Sequence, residues 1–338
     1  MANTSRPIRI GVLGAANIAR AFTAAVAASP LVKVTAVASR DATKAASFAK
    51  ECGIPRSFGT YEALLADVDI DAIYNPLPNS LHAEWSIKAA AAKKHVLCEK
   101  PLAVTGAEAR AMFAAAEANG VYLVEAYPYM AQPQTLQVRD LVAAGSVGKV
   151  QMIRAAFGFP LPDAPNIRLN AGLAGGALMD AGSYATSFVR IIAGERPARV
   201  HAVARWAKSG VDRTLAGTLE FESGLIAQIS ASFATAYHRQ AQILGDKGTI
   251  DTTYLNHPPV GGAPVIHVRR GPTVATEVET IPVASGNGFL AEAESFARMV
   301  AGGAALWTGA KPSESIDVAL TLEALLESAR SGAPVTLK

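Results

Sequence analysis

The chain has 338 residues, half of them apolar and 17% charged, which is material for about two packed domains and excludes a disordered scaffold. Its 31 Lys and Arg against 28 Asp and Glu leave a net charge of +3. The basic residues are scattered, in runs no longer than pairs such as Lys93-Lys94 and Arg269-Arg270, so no nucleic-acid partner is expected. Two cysteines, Cys52 and Cys98, exclude a disulfide framework and argue against a Cys-rich zinc site. No apolar run reaches the roughly 18 residues that span a bilayer, so no membrane partner is expected. The opening Met-Ala-Asn-Thr-Ser-Arg-Pro carries no apolar signal core, and a reducing, cytoplasmic setting is the expectation.

Residues 8–13 are a short apolar run ending at Gly14, followed by a helix over 18–28 that Pro30 stops. Strand 32–39 and helix 42–52 come next, the helix ended by Gly53 and Pro55. Strand 71–74 leads into the turn-rich Asn75-Pro76-Leu77-Pro78-Asn79, then helix 80–92 and strand 96–99, broken by Pro101. Thr105 and Glu108 have capping-box spacing ahead of a helix that runs to Asn119 and ends at Gly120. A further strand covers 121–125. Short buried strands alternating with helices predict a doubly wound parallel sheet of Rossmann type over residues 1–124.

The rhythm then changes. Longer alternating strands cover 151–159, 199–206, 214–221, 225–233, 240–244 and 265–269. They predict an α+β domain over 125–338 with a large, mainly antiparallel, open-faced sheet. One helix, 176–193, interrupts them, and two helices, about 289–300 and 312–330, close the chain and are available to pack back on the first domain. The whole is an α/β protein of two domains. In the strand 225–233, Ile229, Ala231 and Phe233 alternate with Gln228, Ser230 and Ser232. One face is therefore apolar, and the other is an uncharged surface that a partner sheet can cover.

The run Ile10-Gly11-Val12-Leu13-Gly14-Ala15-Ala16-Asn17-Ile18-Ala19 sits between a strand and a helix, where a dinucleotide fingerprint belongs. Gly14 would make the tight turn, Ala16 would admit the pyrophosphate and Ala19 would pack helix on strand. Two of the three fingerprint glycines are alanine, and an ordinary strand-to-helix turn is the competing interpretation. After the second strand, where NAD sites usually place an acid, stand Ser39-Arg40-Asp41-Ala42-Thr43-Lys44. Ser39, Arg40 and Lys44 suit a 2′-phosphate, which favours NADP(H) over NAD, although Asp41 could partly serve a ribose.

Further on, Tyr74-Asn75-Pro76-Leu77-Pro78-Asn79-Ser80-Leu81-His82 and Lys94-His95-Val96-Leu97-Cys98-Glu99-Lys100-Pro101-Leu102-Ala103 closely resemble the glucose–fructose oxidoreductase / inositol dehydrogenase / MocA family. Gly175-Gly176-Ala177-Leu178-Met179-Asp180-Ala181-Gly182-Ser183-Tyr184 is similar to that family's catalytic helix. The resemblance covers nearly the whole chain and is strongest to the branch of NADP-dependent sugar and dihydrodiol dehydrogenases, including D-xylose 1-dehydrogenases. It implies that Ala15, Ala16, Asn17 and Ile18 form the phosphate turn. By the same resemblance, Leu77, Pro78, Asn79 and His82 flank the ribose and nicotinamide, Glu99 and Glu125 lie beside the nicotinamide end, and Ile167 and Arg168 reach the cofactor from the second domain. A cis bond at Lys100–Pro101 is also implied, as is a homodimer or a tetramer of dimers formed through the uncharged sheet face.

The chemistry supplies the roles. Oxidising an alcohol or hemiacetal removes a hydride to the nicotinamide and a proton to a base. Free Tyr and Lys both titrate near pH 10, too high for neutral work, but an ammonium beside a phenol favours the phenolate. Tyr184 is thus the expected acid/base and Lys100 its tuner and hydroxyl anchor, with the roles exchangeable. Asp180, four residues before Tyr184 and so on the same helix face, would orient a sugar hydroxyl or Lys100. Relatives of this branch read Glu-Ala-Phe-Met-Tyr-Arg-Phe-His-Pro-Gln after the sixth strand, where this chain reads Glu125-Ala126-Tyr127-Pro128-Tyr129-Met130-Ala131-Gln132-Pro133-Gln134. With Met130 and Gln132 replacing Arg and His, a less cationic substrate pocket is expected, which leaves the particular sugar open. Tyr127, Tyr129, Phe157 and Phe159 either stack on a sugar face or pack internally. The alternatives are a trans-dihydrodiol dehydrogenase, a dicarbonyl-sugar reductase, or a non-catalytic NADP-binding regulator, the last disfavoured by the presence of Lys100, Asp180 and Tyr184.

Overall fold

A computed structural model describes residues 6–259 and 262–337; the opening segment 1–5, part of the stretch judged to lack a signal core, lies outside the described residues. The chain divides into two compact units. The first comprises residues 1–103, 107–131 and 287–312, and the second comprises 104–106, 132–286 and 313–338.

In chain order the first unit contains β1 (Ile8–Leu13), α1 (Asn17–Val26), β2 (Val32–Ala38), α2 (Ala42–Cys52), β3 (Arg56–Phe58), α3 (Tyr61–Leu65), β4 (Ala72–Asn75), α4 (His82–Ala91), β5 (His95–Glu99), α5 (Gly106–Asn119) and β6 (Leu123–Ala126). The six strands pair in parallel in the order β3-β2-β1-β4-β5-β6. The order reverses between β1 and β4, the switch point where open α/β sheets bind ligands at the strands' carboxyl ends. β4 is buried along its whole length, as a strand covered by helices on both faces should be. The short β3 and α3 fall in a stretch with too little apolar periodicity to announce them.

The second unit continues with α6 (Pro133–Ala143), β7 (Val150–Gly158), α7 (Ser183–Ala193), β8 (Arg199–Trp206), β9 (Asp212–Glu220), β10 (Ile226–Ser232), β11 (His238–Gly245), β12 (Thr249–Thr253), β13 (Val265–Arg269) and β14 (Val278–Pro282). The chain then returns to the first unit for α8 (Gly288–Gly302), and ends in α9 (Pro312–Ser331) and β15 (Val335–Thr336). Nine strands form one sheet, β14-β13-β12-β11-β7-β10-β9-β8-β15, antiparallel except for the β7–β10 pair. Ile153, Ala155, Ala227, Ile229 and Ala231 are buried, while the alternate residues Arg154, Gln228 and Gln240 are exposed, the period-2 signature of a sheet covered on one face.

α8 explains why the first unit needs residues from near the end of the chain. Phe289, Ala293, Phe296 and Met299 recur at helical spacing and join the core of Ile10, Val12, Phe22 and Tyr74. Among the described residues, no helix is long and apolar enough to cross a membrane.

Candidate active site

The nucleotide half belongs to the first unit. Gly14 turns the chain at φ +87°, and a Cβ there would stand 3.0 Å from Leu77 Cδ2, so the glycine is required twice over, by conformation and by space. The turn passes through the small, half-buried Ala15 and Ala16 into α1. Ala16 offers no side-chain cap to that helix, and its first turn holds no acid. Asn17 and Ile18 are exposed. The start of α1 thus has neither a side-chain cap nor an acid of its own, an arrangement compatible with an anion at the helix N-terminus.

At the end of β2, Ser39 is buried and Arg40 is exposed. Asp41 caps α2, its Oδ1 accepting from the backbone N–H of Lys44 at 3.1 Å. The carboxylate expected to be available to a ribose diol instead caps the helix. Arg40 also lies beside Tyr61, whose phenol is pushed up chiefly by burial and drawn the other way by the guanidinium. This donor set, neutral and cationic, fits a phosphomonoester better than a diol.

Lys100 follows β5, and the Lys100–Pro101 bond is cis. The loop around it is held from several sides. The buried His82 sets Nδ1 2.8 Å from the Pro101 carbonyl and Nε2 2.7 Å from the Leu77 carbonyl. Burial first, and the nearby Lys100 charge in addition, push its pKa down to about 4 against the pull of the two carbonyls. Both ring nitrogens point at backbone oxygens, so His82 acts on the loop rather than presenting a polar atom to a ligand. Glu125 Oε1 accepts from the Leu102 N–H at 2.8 Å, and the Tyr74 hydroxyl donates to Glu99 Oε1 at 2.6 Å. Leu77 is buried, while Pro78 and Asn79 are partly accessible. Cys98 is buried and its thiol is pushed up by that burial, the state of an inert packing residue.

A third acid, Glu292 on α8, joins this group. It is 1% exposed, and burial together with the charges of Glu99 and Glu125 holds its carboxyl well above the ordinary range. Sequence reasoning missed it. The available signal was a glutamate placed between Phe289, Ala293 and Phe296 on an otherwise apolar helix face.

The second unit holds the other candidate groups. Gly176 has φ +123°, and Asp212 Oδ2 accepts from the Leu178 N–H at 2.7 Å, starting the helix. Leu178–Gly182 is a π-helical turn that passes into α7, so the predicted helix over 176–193 exists with its first turn widened. Asp180 lies in that turn and Tyr184 in the first turn of α7. The Asp180 carboxylate accepts from Arg168 Nε at 2.6 Å, and this partner raises the already high Arg168 pKa. Ile167 is 56% exposed. Tyr184 is 6% exposed. Its hydroxyl oxygen accepts from Asn256 Nδ2 at 2.9 Å, and its ring meets Phe157 edge-on at 5.7 Å.

Several expectations about the pocket change. Tyr127, Tyr129 and Met130 are each at most 1% exposed and serve as core. Gln132 spends its amide on the backbone carbonyls of Asn256 at 2.8 Å and Gly286 at 2.9 Å. The Met130 and Gln132 departures therefore act on packing and loop anchoring.

The first unit has the strand order of a dinucleotide-binding sheet, with the Gly14 turn leading into a helix start that has no side-chain cap. Residues 8–127 match the model of an oxidoreductase family with an NAD-binding Rossmann fold, and residues 135–251 match the GFO/IDH/MocA C-terminal domain. The chain is 38% identical to the D-xylose 1-dehydrogenase (NADP(+)) 2 of Haloferax volcanii, across 97% of this chain and 99% of that protein. It is 37% identical to the trans-1,2-dihydrobenzene-1,2-diol dehydrogenase of Xenopus laevis, across 71% of this chain and 73% of the other. A 3-ketoreductase from Actinomadura kijaniata, solved with NADP and TDP-benzene, superposes with a TM-score of 0.87 at 32% identity, covering 96% of this chain and 98% of that one. The protein belongs to the Gfo/Idh/MocA family of oxidoreductases.

Proposed function

We propose that the protein is an NADP(H)-dependent dehydrogenase or reductase of a sugar or cyclic polyol, acting at a hydroxyl or carbonyl carbon. The observation that supports the cofactor choice is the pairing of an exposed Arg40, beside Tyr61, with an Asp41 engaged in capping α2. Ser39, Arg40 and Lys44 would hold the 2′-phosphate, and the turn from Gly14 to Ile18 the pyrophosphate. Leu77, Pro78 and Asn79 would flank the nucleotide, with Glu99, Glu125 and His82 fixing the loops behind it. When bound, the nicotinamide supplies the hydride acceptor or donor.

Tyr184 exchanges the substrate hydroxyl proton. Lys100 supplies a positive charge that favours the phenolate and anchors the oxygen, and Asp180 with Arg168 orients the rest of the substrate. Support comes from the solved variants of the 3-ketoreductase. The lysine changed in one and the tyrosine changed in another stand 84 residues apart, the spacing of Lys100 and Tyr184 here. The two cysteines, neither in a disulfide, suit a cytoplasmic setting. The uncovered face of the nine-stranded sheet, with Val203, Ala216 and Gln228 exposed, suits a homodimer, which sedimentation would test.

The functional test is NADP⁺ reduction across aldoses, anhydrosugars and polyols, followed by nicotinamide absorbance. Tyr184→Phe should lower the rate by about 10²–10⁴. A protein that binds NADPH but turns over no member of the panel, with a Tyr184→Phe variant that behaves identically, would instead be a binding regulator.

A further inference from the structure

Tyr184 sits in a cationic cage built by its own unit. Arg239, on β11, is 6% exposed. Its guanidinium carbon lies 4.0 Å from the centre of the Tyr184 ring, and it also covers Phe157 at 4.8 Å and Tyr254 at 5.0 Å. Arg239 Nη2 donates to Asn256 Oδ1 at 3.2 Å, and Asn256 Nδ2 donates to the Tyr184 oxygen at 2.9 Å.

The direction of this relay is fixed by chemistry. A guanidinium has donors only, so Asn256 must turn its carbonyl to Arg239 and its amide hydrogens to Tyr184. The phenol oxygen is thereby an acceptor on that side, and its own hydrogen must point elsewhere. Gln132 fixes the relay in place by donating to the Asn256 backbone carbonyl at 2.8 Å. A cation over an aromatic face attracts a neutral phenol weakly; against a phenolate the same cation becomes a counter-ion, and the amide donor strengthens too.

We propose that Arg239 and Asn256 are positioning residues that make Tyr184 a proton-transfer group, by favouring its phenolate and by holding its oxygen as a hydrogen-bond acceptor. The proposal rests on Tyr184 being the acid/base. It accounts for a buried arginine whose aromatic neighbours would be better served, for packing alone, by an apolar side chain.

The other charged and titratable groups of the unit do not cancel this effect. Asp180, one turn earlier, opposes a phenolate, but Arg168 is paired with it at 2.6 Å. Tyr254 is kept neutral by burial, which pushes its pKa up against the pull of Arg239, and its hydroxyl donates to the Ala156 carbonyl at 2.9 Å. His257 is held down, mainly by burial and then by the Arg239 charge, so its charged form is disfavoured. Tyr237 meets Phe157 edge-on at 6.1 Å.

The test reads Tyr184 directly, without a substrate. The eight tyrosines are labelled with ¹³C at Cζ, and the Tyr184 signal is assigned by its loss in Tyr184→Phe. Wild type, Arg239→Lys, Arg239→Met and Asn256→Ala are titrated in the full-length protein. Arg239→Met should raise the Tyr184 midpoint by at least about one pH unit, a tenfold fall in phenolate at a given pH. Arg239→Lys should fall between it and wild type. Asn256→Ala should shift the same way and serves if the methionine variant does not fold. Coincident midpoints in wild type, Arg239→Lys and Asn256→Ala overturn the proposal. Failure of the functional reading looks different: Tyr184→Phe would then turn over the sugar panel at the wild-type rate, whatever the titrations show.

Discussion

Gly176→Ala probes the start of the helix that carries Asp180 and Tyr184. At φ +123° an L side chain is strained, at about 1–3 kcal/mol. The added Cβ would also stand 2.2 Å from Asp212 Oδ1, so the carboxylate must leave. Its departure breaks the 2.7 Å bond to the Leu178 N–H, a charge-assisted bond worth about 1.5–3 kcal/mol. The expected loss is the sum, roughly 3–6 kcal/mol. Replacing Asp212 by Ala first removes the obstacle, so in that background Gly176→Ala should cost only the strain. The double-mutant cycle should therefore show a coupling of about 1.5–3 kcal/mol. Urea unfolding followed by Trp206 fluorescence, with Trp85 and Trp307 replaced by Phe, reports the second unit alone. Additive single and double variants, or a Gly176→Ala cost under about 1 kcal/mol, would refute the argument that space beside Asp212 fixes this helix.

Glu292→Gln should stabilise the protein increasingly as pH rises. A carboxyl raised on folding contributes stability that is complete below its unfolded value and is lost at higher pH. Urea midpoints at pH 4 and pH 7 should separate wild type from the variant only at the higher pH. Arg40→Ala should weaken NADP⁺ binding by about 10–100-fold, the loss of a charge-assisted phosphate contact, and leave NAD⁺ binding unchanged by calorimetry. His82→Phe should cost about 1–3 kcal/mol, because the neutral ring has one N–H and so one of the two buried carbonyls, of Leu77 or Pro101, loses its donor; a thermal melt would measure it.

The first unit was largely legible because its signals are local. The turn at Gly14, the basic Ser39-Arg40 stretch after β2 and the Lys100–Pro101 pair each announce themselves within a few residues, whereas the use of Asp41 as a helix cap, not a ribose ligand, emerged only from the structure. The second unit was legible only as alternation. Arg239 and Asn256 meet Tyr184 from β11 and from the loop after β12, separated from it by 55 and 72 residues, and nothing near either in sequence marks them. The widened turn at Leu178–Gly182 depends on Asp212, a residue from another strand. Gln132 looked like a substrate contact because it replaces a histidine in relatives; its actual partners are backbone carbonyls that no local pattern reveals.

The two candidate proton-handling groups are prepared by different means. Lys100 is aimed through its backbone. His82 meets the Pro101 carbonyl, Glu125 takes the Leu102 N–H and Tyr74 fixes Glu99, so three side chains hold the residues on both sides of the lysine. Tyr184 is aimed through its side chain, by Asn256 at the oxygen and Arg239 over the ring. The distinction has a kinetic consequence. Loosening a backbone clamp moves an ammonium without changing its charge, so a Tyr74→Phe or His82→Phe variant should lose rate by one factor at every pH. Altering the cage changes the phenol's protonation, so an Arg239→Lys variant in the oxidative direction should lose rate mainly at low pH and recover as pH rises. A uniform loss in the arginine variant would mean that the cage only packs the ring.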